Sequence, residues 1–134
     1  LGGATQLQGT VNGYGERCGN ANLVTLIGAL KLKPRYSAHF TIGVDEAALA
    51  ELTHTSRVLD EKLNRSPAKQ APFVGASAFT TKAGILASAV LKDPRTYEHV
   101  PPESVGNRRQ VLVSEASLPQ LVMAPCSLKE KKRE

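Results

Sequence analysis

The stretch that decides the fold of the first part of this chain is Gln8-Gly9-Thr10-Val11-Asn12-Gly13-Tyr14-Gly15-Glu16-Arg17-Cys18-Gly19-Asn20. The segment from Ala4 to Val11 is rich in Thr, Val and Gln, which predicts a short strand. The next four residues form a turn signal, because their glycines permit positive φ. Asn20 or Asn22 can then cap a helix. The apolar face of that helix holds Leu23, Leu26, Ile27 and Leu30. The predicted order is therefore strand, glycine-rich loop and helix.

A second helix is predicted after a connector that runs from Lys31 to Gly43. Asp45 is a suitable N-cap, and the helix is expected to reach about Asn64 before Ser66-Pro67 ends it. Its stripe has heptad-like spacing, which suits packing against another helix. The stripe consists of Leu49, Leu52, Ser56, Leu59 and Leu63.

The rest of the chain carries shorter signals. A small apolar segment spans Pro72–Phe79, and a helix is predicted from Lys82 to Leu91, where Asp93-Pro94 stops it. A turn or short helix is expected at Pro101–Ser104. Val111–Val113 fits either a strand or a buried helical turn, since the run is too short to decide.

Composition predicts one modest core with few aromatic anchors. The chain has 134 residues, of which 41% are hydrophobic and 4% aromatic, and no apolar run is long enough to span a membrane. The net charge is +5, but basic residues are not interleaved with stacking aromatics, so nucleic-acid binding is not supported.

No metal site is predicted either. Cys18 and Cys126 are far apart, and the three histidines lack ligand-like spacing. Those histidines are His39, His54 and His99.

Four segments of the chain together carry a family resemblance. They are Gln8–Asn20, Pro72–Phe79, Ser88–His99, and Val105–Asn107 followed by Val111–Glu115. Their order and spacing resemble the carboxy-terminal half of the 2-isopropylmalate, homocitrate and citramalate synthase family, most closely its citramalate synthase branch. The resemblance covers about Gly3 to Glu115.

The resemblance implies a fold. Family members have a metal-binding (β/α)8 barrel followed by a linker and small subdomains that reach across a dimer. Residues 1–33 would correspond to the last barrel strand and helix, 34–71 to the linker, 72–118 to a small subdomain, and 119–134 to a polar tail. The expected class is α+β, mostly helical with a few short strands. A closed barrel is not expected, because closure needs the full ring of strands.

The resemblance also assigns candidate site residues. Asn20 matches an asparagine that lies at the metal in the family, and Glu16 and Arg17 belong to the same loop, where they are candidates for substrate binding. The family's metal-binding Asp and His-x-His pair have no match in this sequence. The expected role of Asn20 here is therefore a helix cap, and no cofactor is expected. Tyr97 matches a tyrosine that supports catalysis.

Two replacements predict the loss of acid–base chemistry. The family's Phe-x-His-Lys-Gly-Gly-Ile-His stretch corresponds here to residues 79–86, with Thr81 and Leu86 at the two histidine positions. Neither side chain titrates near neutral pH. A third departure lies at Ser117–Leu121, where the family's Ser-Gly-Arg-Ser-Asn is absent.

The leading functional hypothesis is a catalytically inactive remnant of such a synthase that serves as an accessory or structural subunit of a larger protein assembly. Its partners would be other protein subunits, and an organelle is favoured over the cytoplasm. The alternative is a fragment of an acyltransferase that condenses acetyl-CoA with a 2-oxo acid. A regulatory small-molecule module is a third hypothesis.

Overall fold

The computed structural model describes residues 3–82, 89–90 and 92–112. The chain divides into two compact units. The first unit consists of Leu1–Thr80 with Val100–Gln110, and the second of Thr81–His99 with Val111–Glu134. The elements in the described ranges are mostly helical with two short strands and no closed barrel, which confirms the predicted class. None of the helices among these residues has the length and apolar character needed to cross a membrane. The boundaries expected after residues 33, 71 and 118 stay predictions.

The strand predicted over Ala4–Val11 is wrong for most of its length. Thr10 pairs with Asn22 in an isolated parallel bridge, and Val11–Gly13 forms a 3-10 turn. A strand requires a neighbour that takes up its backbone N–H and C=O groups. Among the described residues no strand lies beside Gly3–Gly9, so the segment is irregular.

Helix α1 spans Leu23–Leu32. The Oδ1 atom of Asn22 accepts a hydrogen bond from the Val24 amide at 3.0 Å. Of the two predicted caps, Asn22 is therefore confirmed and Asn20 is wrong. The next residue, Lys33, is the C-cap, and its backbone is extended because it precedes a proline. A short helix, α2 (Pro34–Ser37), follows inside the predicted connector.

The single helix predicted from Asp45 to Asn64 is divided into α3 (Glu46–Ala50) and α4 (Leu52–Lys62). Asp45 is confirmed as an N-cap, since its Oδ1 accepts from the Ala48 amide at 2.7 Å. The 3-10 turn Pro102–Val105 packs at the bend between the two helices. There Gly106 lies so close to the Ala50 carbonyl that a Cβ atom would collide with it.

The apolar core of the first unit is small and gathers around α3 and α4. It contains Val24, Leu49, Leu52, Val74 and Val105. The predicted stripe is confirmed at Leu49, Leu52 and Ser56, all buried, but it is wrong at Leu63, which is 48% exposed. Leu63 lies one residue beyond α4, at its C-cap, so the buried face of α4 ends at Asp60.

The remaining described segments are held by backbone and amide contacts. Asn107 donates from Nδ2 to the carbonyls of Phe73 and Gly75 at 2.9 and 3.1 Å, which ties down the irregular segment Pro72–Phe79. The predicted turn or short helix near Pro101–Ser104 is confirmed as the 3-10 turn Pro102–Val105.

Strand β1 (Thr80–Thr81) pairs with β2 (Gln110–Val111), so the strand alternative is right for Val111. Their ladder is parallel: the amide of Gln110 donates to the Phe79 carbonyl, and that of Leu112 to the Thr81 carbonyl. Most of the predicted helix Lys82–Leu91 lies outside the described residues. So do Leu86, Val113, Ser117–Leu121, Cys126 and the predicted tail.

Candidate functional site

The loop between Thr10 and Asn22, called the site loop below, is closed at its base by backbone hydrogen bonds. The Thr10 amide donates to the Ala21 carbonyl, and the Leu23 amide donates to the Thr10 carbonyl, each at 3.0 Å. Across the loop, the Asn20 amide donates to the Gly13 carbonyl at 2.9 Å. These bonds fold the loop back so that its two ends lie side by side.

Glycines make this closure possible. Gly13 and Gly19 have φ values of 71° and 87°, a region that side chains disfavour. A Cβ atom at Gly19 would also collide with the Gly13 carbonyl. The predicted turn at Asn12–Gly15 is therefore confirmed, although Gly19 is equally necessary to it.

A polar network, called the clasp below, joins the site loop to α4. It consists of Asn12, Tyr14, Ser56 and Asp60. The Nδ2 of Asn12 donates to the Ser56 carbonyl at 2.9 Å and to Oδ1 of Asp60 at 2.7 Å. In return, the Ser56 hydroxyl donates to Oδ1 of Asn12 at 2.7 Å. Asp60 is only 3% exposed, so these partners compensate the cost of burying its carboxylate.

Tyr14 completes the clasp from the loop side. Its hydroxyl donates to Oδ1 of Asp60 at 2.7 Å. The pKa of Tyr14 is raised, chiefly by this hydrogen bond and further by burial and by the negative charge of Asp60. The guanidinium of Arg65 lies 4.7 Å from the centre of the Tyr14 ring, and its charge offsets only part of that rise.

A small cavity of about 90 Å³ borders the clasp. The lining residues are Asn12, Tyr14, Asn22, Ser56, Arg57, Asp60, Pro67, Ala68, Ala71 and Val74. This volume suits a few water molecules and is far below that of an ordinary ligand pocket. The clasp is therefore a structural junction rather than a substrate pocket.

Three of the predicted site residues lie on the outward part of the site loop. Glu16, Arg17 and Asn20 are all exposed, and Arg17 has a φ of 52°. The Asn20 side chain donates from Nδ2 to the Tyr14 carbonyl at 3.2 Å. The loop thus brings the three side chains onto one short segment, and Tyr14 fixes the amide of Asn20.

Tyr97 belongs to the second unit and is 53% exposed. It follows the 3-10 turn Pro94–Thr96, and its amide donates to the Pro94 carbonyl. Asp93 caps the turn and accepts two bonds from the guanidinium of Arg95 at 3.0 and 2.9 Å. These bonds lower the pKa of Asp93. Tyr97 therefore lies at the end of a locally stabilised turn.

The groups available near Asn20 do not by themselves suit a divalent cation. A neutral amide oxygen is a weak ligand that needs carboxylate or imidazole partners. Across the described residues, no group of three or more His, Cys, Asp or Glu side chains is close enough to hold a metal ion. We therefore derive no chemical step through a metal from these residues.

The clasp is not among the features predicted from the sequence. The pattern predicts a turn at Asn12 and Tyr14 and assigns no role to Asp60. One signal was present: Ser56 interrupts an apolar stripe, and Asp60 follows it by four residues on the same helical face. Two polar side chains on a face expected to be buried indicate that a polar partner must pack against it.

Comparison with known proteins confirms the resemblance. Residues 73–117 match the family described as homocitrate synthase post-HMGL domain-like. The chain is 55% identical over 113 residues to an (R)-citramalate synthase of Synechocystis sp., which covers 84% of this chain and 20% of that protein. It is 50% identical over 115 residues to the (R)-citramalate synthase of Geobacter sulfurreducens, covering 86% of this chain and 21% of that protein.

A homocitrate synthase of Methanosarcina acetivorans is 40% identical over 111 residues, which covers 83% of this chain and 25% of that protein. The chain thus spans about a fifth to a quarter of the length of these relatives. Matches of this strength extend along most of the chain. The chain belongs to the citramalate and homocitrate synthase family.

Proposed function

We propose that this chain does not catalyse the family's condensation by itself and that it acts as an accessory or structural subunit, bound to other proteins in a larger assembly. The observation that carries the proposal is Thr81, which stands in β1 where the family resemblance expects a proton-transferring histidine. A threonine hydroxyl does not titrate near neutral pH and cannot replace an imidazole in acid–base work. Leu86, at the second histidine position, has no proton to exchange.

Exposed apolar side chains support a role in protein binding. Leu7 and Leu63 are 55% and 48% exposed, and Phe40 adds a third large apolar group at the surface of the first unit. The outward side of α1 adds Leu26 and Leu30, both partly exposed. Apolar groups of this kind mark interaction sites when they form a contiguous patch. A partner protein that covers them would stabilise the chain.

The first test measures catalysis and association in the purified chain. Free CoA released from acetyl-CoA and pyruvate is measured with a thiol reagent, with and without Mg²⁺ or Mn²⁺. We expect no metal-dependent release, and such release would overturn the proposal of inactivity. Light scattering and a dye for exposed apolar surface test the accessory role. A monodisperse monomer that binds no dye would contradict it.

A second candidate function is supported by the 55% identity to an (R)-citramalate synthase. In this alternative the chain is part of an acyltransferase that joins acetyl-CoA to a 2-oxo acid, with the metal-binding part supplied elsewhere. The closed site loop would then present Glu16, Arg17 and Asn20 to that site, and Tyr97 would support catalysis.

A chimera distinguishes the two candidates. The matching segment of the Synechocystis enzyme is replaced by this chain, and release of CoA is measured. The first proposal expects activity to fall roughly a hundredfold or more and to rise when Thr81→His and Leu86→His are introduced together. Thr80→His in the same chimera is the matched control and should restore nothing. A chimera as active as the parent enzyme would favour the second candidate.

A further inference from the structure

The conformation of the site loop is costly at Asn12. This residue has φ 58° and ψ 9°, inside the 3-10 turn Val11–Gly13. The left-handed region is unfavourable for an ordinary L-residue, and asparagine is one of the few residues that adopts it regularly. Such a conformation persists where the surroundings fix it. The surroundings here are the three hydrogen bonds between the Asn12 amide and α4.

A continuous path of hydrogen bonds leads from α4 to the exposed part of the loop. Asp60 accepts from the Tyr14 hydroxyl, and the Tyr14 carbonyl accepts from both the Thr10 hydroxyl and the Asn20 side chain. One N–H of the Asn20 Nδ2 atom is thereby engaged, and Oδ1 is the amide atom that can accept a hydrogen bond. The orientation of the Asn20 amide therefore depends on where Tyr14 is held.

We infer that Asp60 and Ser56 are positioning residues, which act through Asn12 and Tyr14 to fix the site loop and the amide of Asn20. Helix α4, together with the backbone bonds of the loop, determines this geometry. The backbone bonds close the base of the loop and its outward turn. One of them, from the Gly13 amide to the Thr10 carbonyl, also spans Asn12, while the Asn12 side chain and the Tyr14 ring are held by the clasp. The inference concerns loop conformation and does not depend on whether the chain is catalytic.

The donor and acceptor pattern of the clasp gives an isosteric test. Asn12→Asp keeps the shape of the side chain and its tolerance of positive φ, but replaces Nδ2 by an oxygen. That oxygen would face the Asp60 carboxylate and the Ser56 carbonyl, both of them acceptors, so two bonds become repulsive contacts. Adding Asp60→Asn supplies an amide donor opposite the new carboxylate, with a second N–H for the Tyr14 oxygen.

Hydrogen exchange of the full chain, followed by NMR, provides a readout local to the loop. The reporters are the amides of Gly19 and Asn20, which donate to Glu16 and Gly13, and the reference is the Leu49 amide in α3, which donates to Asp45. We expect Asn12→Asp to accelerate exchange at the loop reporters by roughly tenfold to a hundredfold, the usual effect of losing bonds to a charged group. The reference amide should be accelerated by a factor at least about three times smaller, because it reports only the accompanying loss of global stability.

The double variant decides whether the effect is specific. We expect Asn12→Asp with Asp60→Asn to recover at least about tenfold of the lost protection, because one complementary pair is restored. Asn64→Asp is the matched control, since Asn64 also has a positive φ, of 50°, but is exposed outside the clasp. It should leave the loop reporters unchanged.

Three outcomes would overturn the inference. The first is unchanged exchange of the loop amides in Asn12→Asp. The second is additivity: the acceleration of exchange in the double variant equals the product of the accelerations measured for Asn12→Asp and Asp60→Asn separately. The third is a parallel change at Leu49, which would indicate general destabilisation. If Asn12→Asp does not fold, Ser56→Ala removes only the bond to Oδ1 of Asn12 and is read in the same way, with a smaller expected acceleration of about fivefold.

Discussion

Helices α1 and α4 are the two longest in the described part of the chain. The more apolar of the two, α1, has fewer buried residues than the more polar α4. Helix α1, with the sequence LVTLIGALKL, has one charged residue, yet only Val24 and Gly28 are fully buried. Helix α4, with the sequence LTHTSRVLDEK, is largely polar, yet it has twice as many buried residues. Those of α4 are Leu52, Thr53, Ser56 and Asp60.

The difference shows that burial follows the partners that a helix meets rather than its own hydrophobicity. The 3-10 turns on both sides of α4 offer matching polar groups: Asn12 and Tyr14 for Ser56 and Asp60, and the Val105 carbonyl for the Thr53 hydroxyl at 2.6 Å. Helix α1 contacts the core with Val24 and Ile27. Its Leu32 also packs against the core, whereas Leu26 and Leu30 stay partly exposed.

The largest effect is expected from Asp60→Ala in α4. This substitution leaves the Asn12 amide and the Tyr14 hydroxyl without their buried acceptor. Two bonds to a charged group are lost, so the free energy of unfolding should fall by about 3 kcal/mol. Urea unfolding followed by circular dichroism measures it. Glu61→Ala, at the exposed next position, is the control, and an equal loss in both variants would contradict a special role for the clasp.

The next effect compares the two sides of α1. Val24 is 2% exposed, and Val24→Ala should lower the free energy of unfolding by about 2 kcal/mol through lost burial and a cavity. Leu30→Ala removes a larger side chain, but from the partly exposed side, and should cost less than about 1 kcal/mol. The same urea assay ranks them. A larger cost for Leu30→Ala would mean that the outward side of α1 is already covered within the chain.

A smaller effect is expected from Ser56→Ala, which removes one hydroxyl from the clasp. Its bond to Asn12 is lost, while the Ser56 carbonyl keeps its own, so we expect a loss of about 1 kcal/mol. Thr55→Ala removes an exposed hydroxyl from the adjacent position and serves as the comparison. Indistinguishable unfolding midpoints for the two variants would indicate that this hydroxyl contributes nothing to the stability of the clasp.

The smallest effect is a dependence on alkaline pH. Because the folded-state pKa of Tyr14 is raised above its ordinary value, the folded chain retains that proton when the unfolded chain releases it. The associated stability is present below the unfolded pKa and is lost as pH rises through the folded pKa. We expect Tyr14→Phe to weaken this decline between about pH 9 and pH 12. Denaturant unfolding across that range measures it, and parallel profiles would contradict the assignment.

Local chemistry was predictable where one residue decides the outcome. The caps at Asn22 and Asp45 and the turn at Asn12–Gly15 depend on side chains and glycines that act within a few residues, and all three are present. The family was also predictable, because the thirteen consecutive residues Gln8–Asn20 carry a resemblance to it.

Features that depend on distant partners could not be predicted from local pattern. The segment Ala4–Val11 has a composition that favours a strand, but the described residues contain no neighbouring strand for it to pair with, so a strand does not form there. The bend at Glu51 arises from contact with residues more than fifty positions later in the chain. Leu63 fits the heptad spacing but lies just beyond the end of α4, and the burial of Asp60 depends on Asn12 and Tyr14, which reach it from the site loop.

The contact between Gly106 and the Ala50 carbonyl joins two main chains, with no side chain between them. The angle between α3 and α4 therefore tolerates substitutions of their side chains, because this contact involves only main-chain atoms. Residue 106 is the exception, because any residue larger than glycine would push the two segments apart and change the direction in which α4 leaves α3.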